Sequence, residues 1–284
     1  MELLMIARSL WTVMVAVCLF GCTAVAQSSH PDPIEIKQLL SADAILLGEQ
    51  HDAPDHQRIH RDVVQALADQ HALAALALEM VSQGQSTEKL DSHASEQQVR
   101  AALQWNNEGW PWVNYGPAVI AAVRAGVPVI GANLPRDRQR EAMADSRLDT
   151  LLPGPALKAQ QQSVRLGHCE LLPESQISPM TRVQIARDIA MAQTLLQAAR
   201  PGKAVLLLTG SGHADRTLGI PLHLPQQFKV KAVLLHAEED SDATKNTAEF
   251  DLFWSARPAP VVDHCANFAA SRSKAAASAP ANMP

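Results

Sequence analysis

Tyrosine is nearly missing from this 284-residue chain: Tyr115 stands alone, and all aromatics together make up 4% of the residues. Any function that needs a phenol therefore has a single address. Cysteine is scarce as well, with four in all, two of them (Cys18 and Cys22) close to the amino terminus. Positive charge is not in excess: 24 Lys and Arg against 29 Asp and Glu give a formal net charge of −5. Such a balance offers no basic face to nucleic acid or to an anionic lipid surface. There is no Gly-x-Ser-x-Gly elbow, which excludes a serine esterase of the usual α/β-hydrolase kind. No internal repeat is visible. Apolar residues reach 47%, and a chain of this length can bury a substantial core in one large domain.

The first 22 residues, MELLMIARSLWTVMVAVCLFGC, hold an apolar stretch from Leu10 to Phe20 that is too short to span a bilayer and suits a secretory leader. Two processing readings compete. Leu19-Phe20-Gly21-Cys22 resembles a bacterial lipobox, which makes residues 1–21 a signal peptide and Cys22 a lipidation site on the outer membrane. Ala24-Val25-Ala26 is instead a small-x-small cleavage site that would release a soluble periplasmic protein. Residues 22–33 read as a tether, 34–265 as the folded domain, and 266–284, rich in Ala, Ser and Pro, as a disordered tail. In an oxidising compartment the simplest fate of Cys169 and Cys265 is a disulfide, whose loss should weaken the fold rather than the site. A Cys-His metal site is the alternative, because each cysteine follows a histidine, His168 and His264.

Strand-length apolar runs occur at Ala44 to Leu47, Leu73 to Leu78, Val127 to Ile130, Ala204 to Leu208 and Lys231 to Leu235, with Glu249 to Trp254 a sixth candidate. They are continuous rather than alternating, which fits strands buried on both faces. Helical patterns lie between them at Asp55 to Gln70, Gly116 to Ala125, Asp137 to Leu151 and Pro179 to Ala199. This order predicts a three-layer α/β domain with a mostly parallel sheet and helices on both faces. Ser82 to Tyr115 and Pro153 to Pro179 are longer than crossovers need, and are expected to form a helical cap over the carboxyl edge.

In such a sheet, side chains at the carboxyl ends of strands converge on one crevice. Gly48-Glu49-Gln50-His51 ends the first run, Glu79 follows the second, and Gly210-Ser211-Gly212-His213 ends the fourth. Glu49, His51, Glu79 and His213 are thus candidates for metal ligation, proton transfer or an anion clamp. The structural alternative for Glu79 is a buried ion pair with Arg136. His56 and His60, four apart, have the spacing that puts two imidazoles on one helix face, although a solvated polar face is the plainer reading for His60. The segment WNNEGWPWVNY, Trp105 to Tyr115, gathers three of the five tryptophans and the only tyrosine. It either packs a cap onto the sheet or stacks a planar apolar ligand, with Tyr115 a potential oxygen ligand to ferric iron.

These residues resemble the ChaN-like haem-binding uptake lipoproteins, within the Tiki, TraB and erythromycin-esterase superfamily. The resemblance runs from about Leu46 to Pro225. It rests on Gly48-Glu49-Gln50-His51 with His56, Leu78-Glu79-Met80, Gly109-Trp110-Pro111 leading to Tyr115, and Asn133-Leu134-Pro135-Arg136. It continues through His168-Cys169, Ala186-Arg187-Asp188 with Met191-Ala192, and Gly210-Ser211-Gly212-His213 with Gly219-Ile220-Pro221. The resemblance implies an outer-membrane lipoprotein of iron acquisition that binds haem through Tyr115, with His51, His56, His213 and Arg136 as further contacts. It also implies a homodimer sharing haem, and an outer-membrane receptor as partner. The same superfamily implies a rival: a metal-dependent or His-based hydrolase using Glu49, His51, Glu79 and His213, with a divalent metal as cofactor.

Overall fold

A computed structural model describes residues 33–237, 248–260 and 262–270. The leader, the lipobox with Cys22, nearly all of the tether, and the tail beyond residue 270 lie outside the described residues. In chain order the elements are α1 (Pro33–Leu39), β1 (Ala44–Glu49), α2 (Pro54–Asp69), β2 (Leu73–Ser82), α3 (Glu96–Ala102), α4 (Trp112–Arg124), β3 (Val129–Asn133) and α5 (Arg136–Ala144). They continue with α6 (Gly154–Gly167), α7 (Glu174–Ala198), β4 (Ala204–Gly210), the single turn α8 (Ser211–Ala214), β5 (Val230–Ala237) and β6 (Leu252–Ala256).

All six strands pair in parallel, in the order β3-β2-β4-β1-β5-β6. Period-two alternation sends their side chains to two different cores. Ile45, Leu47, Leu76, Leu78, Leu206 and Leu208 pack on one face against Ile59, Val63, Val64 and Leu67 of α2 and Val119 and Val123 of α4. Leu46, Ala75, Ala77, Val205 and Leu207 pack on the other face against Met191, Ala192 and Leu195 of α7. Burial of each such aliphatic side chain stabilises the fold by about 1.5–3 kcal/mol. The expected three-layer α/β architecture is what forms, with the sheet parallel throughout.

Helix α2 begins at Pro54, whose fixed φ and missing N–H suit a first helical turn, and carries Asp55 there to complement the dipole. It ends where His71 takes a left-handed φ of 53°. Two other helices start earlier than the sequence reading placed them: α4 at Trp112 rather than Gly116, and α7 at Glu174 rather than Pro179. Each runs through an internal proline, Pro117 and Pro179, at the cost of a backbone bond. Burial on both sides of the break, by Tyr115 and Ala118 in one and Ile177 and Thr181 in the other, offsets it. The single helix expected from Asp137 to Leu151 is split, because the Asp145 side chain accepts from the Arg147 backbone N–H and opens a 3₁₀ turn, Ser146–Thr150.

Both long inter-strand segments carry a helix, α3 in the first and α6 in the second. Trp110 of the first reaches the carboxyl edge, its ring 4.8 Å from that of His51. Cys169, just after α6, is bonded to Cys265, and residues 264–270 form a short helix. The bridge joins positions 96 apart in sequence. On chain-entropy grounds its removal costs about 4–5 kcal/mol. Urea unfolding of the Cys169→Ser and Cys265→Ser variants is expected to show a loss approaching that size, and thiol titration of the denatured, unreduced protein should find neither cysteine reactive.

Candidate functional site

Pairing register sets the site. Glu49 of β1 lies opposite Gly210 of β4, and Leu78 of β2 opposite Leu208 of the same strand. Glu79 therefore emerges beside Thr209, and the two glutamates flank the end of β4. Gly210 lets the His51 ring lie close over the strand end, since a Cβ there would come within 2.9 Å of His51 Nε2 and push the ring aside.

Glu49 is 1% exposed. Its Oε1 accepts the Tyr115 hydroxyl at 2.7 Å and bonds His51 Nδ1 at 2.8 Å. Its Oε2 accepts from Gln57 at 3.2 Å and lies 3.7 Å from His60 Nε2. Burial pushes its pKa up, but His60, His51 and the tyrosine hydroxyl outweigh that and hold it below the usual carboxylate value. The same carboxylate, with burial acting first, drives the Tyr115 phenol well above its ordinary value. Burial would lower the pKa of His51, yet the hydrogen bond to Glu49 and the charges of Glu79 and Glu49 raise it.

Glu79 is a second buried anion. Arg187 donates to its Oε1 at 2.5 Å, while the Thr209 hydroxyl and the Gly210 N–H each donate to Oε2 at 2.7 Å. Burial opposes its ionisation, but His213, Arg187, His51 and the Gly210 N–H keep it charged. His213 Nδ1 is held by Asp188 at 2.6 Å, and burial raises the pKa of that aspartate. Two imidazoles, each fixed by a carboxylate at Nδ1, thus turn Nε2 toward one oxygen, Glu79 Oε1: His51 at 3.8 Å and His213 at 3.7 Å.

Over this cluster lies a cleft of about 320 Å³ lined by His51, Asp52, Gly109, Trp110, Pro111, Tyr115 and His264. The rings of Trp105 and Trp110 enclose Tyr115 at 6.1 and 5.9 Å, leaving it 1% exposed. His51 is the reachable member of the cluster, with 40% of its side chain exposed.

Glu49, His51, Glu79 and His213 are therefore brought together as the strand-end argument expected, and Tyr115, singled out from the Trp-rich segment, joins them through Glu49. His56 is buried beside the cluster, near enough for the charges of His60 and Glu49 to act on it, but it bonds none of these side chains, whereas Arg136 lies on the surface at the start of α5. The ion pair of Glu79 with Arg136 is corrected to one with Arg187, because α7 crosses the carboxyl end of β3 and Arg187 also bonds Asn133. His60 is not on a solvated face; it is fully buried beside Tyr115, ring centroids 6.5 Å apart. Arg187, Asp188 and Gln57 were missed as site residues. Arg187-Asp188 stood in the family pattern without a role, and Gln57 carries no spacing signal. Among the described residues, no group of three or more His, Cys, Asp and Glu has metal-holding geometry.

His56 also braces the backbone. Its Nδ1 accepts the Gln50 N–H at 3.0 Å, fixing the turn between β1 and α2. Burial, helped by His60, lowers its pKa from 6.5 to about 4. A histidine with a depressed folded pKa binds fewer protons folded than unfolded, so its contribution is full above the unfolded value and is lost as pH falls. Unfolding free energy should drop by about 3 kcal/mol between pH 6.5 and 4. In His56→Gln, chemical denaturation across that range should show this part of the slope removed.

The chain is similar to known proteins over most of its length. No curated protein sequence matches the chain. Among solved structures, the ChaN of Campylobacter jejuni, described as showing cofacial heme binding, shares 26% identity over 76% of this chain and 89% of its own, with a TM-score of 0.63. The type III effector HopBA1 (16% identity, 78% and 91% coverage, TM-score 0.43) and a mutant erythromycin esterase in its open conformation (15%, 74% and 75%, 0.44) are more loosely similar. The family described as haem-binding uptake, Tiki superfamily, ChaN matches residues 36–224, well over half the chain and every strand of the crevice. On that match the chain belongs to the ChaN haem-binding uptake family.

Proposed function

We propose that this protein is a haem-binding lipoprotein of bacterial iron acquisition, anchored to the outer membrane through Cys22, with haem received at the cleft over Tyr115. The observation that carries this reading is the position of the only phenol in the chain: beneath Trp110, at the floor of an aromatic-walled cleft, within the family-matched segment. Indole and proline faces suit a planar apolar macrocycle. The donor set also fits a ferric porphyrin in kind, a phenolic oxygen being one of the protein ligands haem iron accepts. Tyr115 would hold the iron, and His51 would face the propionates. Glu49 Oε1, 2.7 Å from the hydroxyl, is the nearest acceptor for the phenol's proton, but with the carboxylate held below and the phenol driven above its ordinary value that transfer needs the positive charge of a bound ferric iron. Haem supplies the redox-active iron centre; the chain supplies the oxygen, the stacking wall and the base. Sharing of haem between two copies, and delivery to or from an outer-membrane receptor, belong to the same reading.

Ferric haem titrated into the purified protein is expected to give a saturable visible spectrum with a phenolate-type charge-transfer band, abolished or altered in Tyr115→Phe. A spectrum unchanged by that substitution would remove Tyr115 from the iron, and no saturable change at all would overturn the haem reading.

A second reading has its own observation: two carboxylate-held imidazoles converge on Glu79. Nδ1 of each ring is engaged, leaving Nε2 to exchange a proton with a water lodged between them, as general acid–base hydrolysis needs. Arg187 bonded to the same carboxylate oxygen disfavours a cation there, so the His-based form fits better than the metal-dependent one. Screening of ester and peptide substrates, with elemental analysis alongside, should give metal-free turnover lost in His51→Ala and in His213→Ala. A wild-type protein inert across the panel would end this reading.

A further inference from the structure

Beyond β6, Arg257, His264 and Cys265 of the described residues fasten the chain to the body of the fold, the first two beside the carboxyl end of β1, and Phe268 packs its ring on His168. Arg257 donates to Asp55 at the start of α2 through its backbone N–H, Nε and Nη2, at 2.9, 3.0 and 2.8 Å. His264 Nε2 bonds Asp52 Oδ2 at 2.7 Å. Cys265 is bonded to Cys169, after α6. The first and last fastenings are strong, a buried carboxylate with multiple donors and a covalent bond. The middle one is an exposed pair, with 63% and 33% of the side chains accessible, a class worth about 0–1 kcal/mol. That weak middle point is the one that lies on the cleft: Asp52 and His264 line it together with His51, Trp110, Pro111 and Tyr115. All three partners on the strap, Arg257, His264 and Cys265, lie beyond the family-matched residues 36–224.

We propose that this C-terminal segment is a strap across the mouth of the cleft, latched by His264 on Asp52, and that it opens to admit a ligand. On admission His264 leaves Asp52 for an acidic group of the ligand, and so becomes a binding residue. The ligand class is a planar macrocycle bearing carboxylates, so this part rests on the haem reading. The closed form argues for a moving part. Tyr115 lies under Trp105 and Trp110, and the cleft of about 320 Å³ lies at the lower end of the range of small-molecule sites, so a macrocycle needs part of the cleft wall to move, and the exposed His264–Asp52 pair is the weakest fastening in that wall. The disulfide holds the strap near the cleft while His264 swings, which limits the ordering cost of closing over a bound ligand. On this proposal Cys169–Cys265 serves the site as well as the fold.

Two readouts test the strap on the full-length oxidised protein. The first needs no ligand: hydroxyl-radical footprinting of Trp110, read by peptide mass spectrometry, with buried Trp254 as the internal reference. Labelling of Trp110 relative to Trp254 should rise in His264→Ala and in the double variant Cys169→Ser/Cys265→Ser, and return toward the wild-type level in His264→Gln, which can still donate to Asp52. The second is the dissociation rate of ferric haem, expected to increase about tenfold in His264→Ala through loss of one charge-assisted bond. Unchanged Trp110 labelling in both open variants would overturn the strap. Increased labelling with an unaltered dissociation rate would overturn the role of His264 in holding the ligand. If the wild-type protein takes up no haem, the haem reading falls with the ligand half of this proposal, and the strap is judged by labelling alone.

Discussion

A buried carboxylate is the constraint around which this end of the molecule is organised. Glu49, at the last position of a strand with neighbours on both sides, cannot be hydrated. An isolated charge in such a place is prohibitively unfavourable, so donors must be supplied by the protein. They come from the turn after β1 (His51), from α2 (Gln57, with His60 close by) and from α4 (Tyr115). Satisfying one anion therefore fixes two helices and a turn against the sheet edge. Glu79 does the same on the neighbouring strand and recruits α7 through Arg187. The helices are docked along their length by aliphatic burial, and their register at the carboxyl edge is set by these two acids.

That division of labour explains what could be read from the sequence. The strands were legible because burial on both faces leaves continuous runs such as Ala204 to Leu208, and Glu49, Glu79 and His213 were legible as the first chemistry-bearing residues after such runs. The helix starts were less so, because Pro117 and Pro179 mark local preference while tertiary burial at Tyr115 and Ile177 decides the outcome. Arg187 was illegible for a different reason. Its partner lies 108 positions away, and the few charged residues of α7, Glu174, Arg182, Arg187 and Asp188, follow no period that singles it out. His60 was misplaced because Arg58, Arg61 and Asp62 around it suggest a wet surface. The face it occupies is the one with Ile59, Val63, Val64 and Leu67, and its burial becomes intelligible only once Glu49 and Tyr115 are seen beneath it.

The two acids also differ in how their donors are spent. Glu79 is saturated by permanent donors, a guanidinium, a hydroxyl and a backbone N–H, none of which can withdraw at physiological pH, so it is a fixed charge. Asp188, equally buried but with one principal partner, is pushed the other way, toward protonation. Burial alone thus does not set the charge state of a carboxyl group here; the number and permanence of its donors do.

Glu49 is held by groups that can each do something else, and this ties the two functional readings together. Its Oε1 is shared by the Tyr115 hydroxyl and His51 Nδ1. If Tyr115 gives its proton to Glu49, the charge that raises the pKa of His51 and fixes its tautomer is weakened at the same moment, and His51 becomes both less basic and less firmly held. A phenolate engaged by iron and an imidazole poised as a general base are consequently opposed demands on one oxygen atom. On the two proposed readings, such a site would support ligand capture at Tyr115 or proton transfer at His51, and the state of one would set the competence of the other.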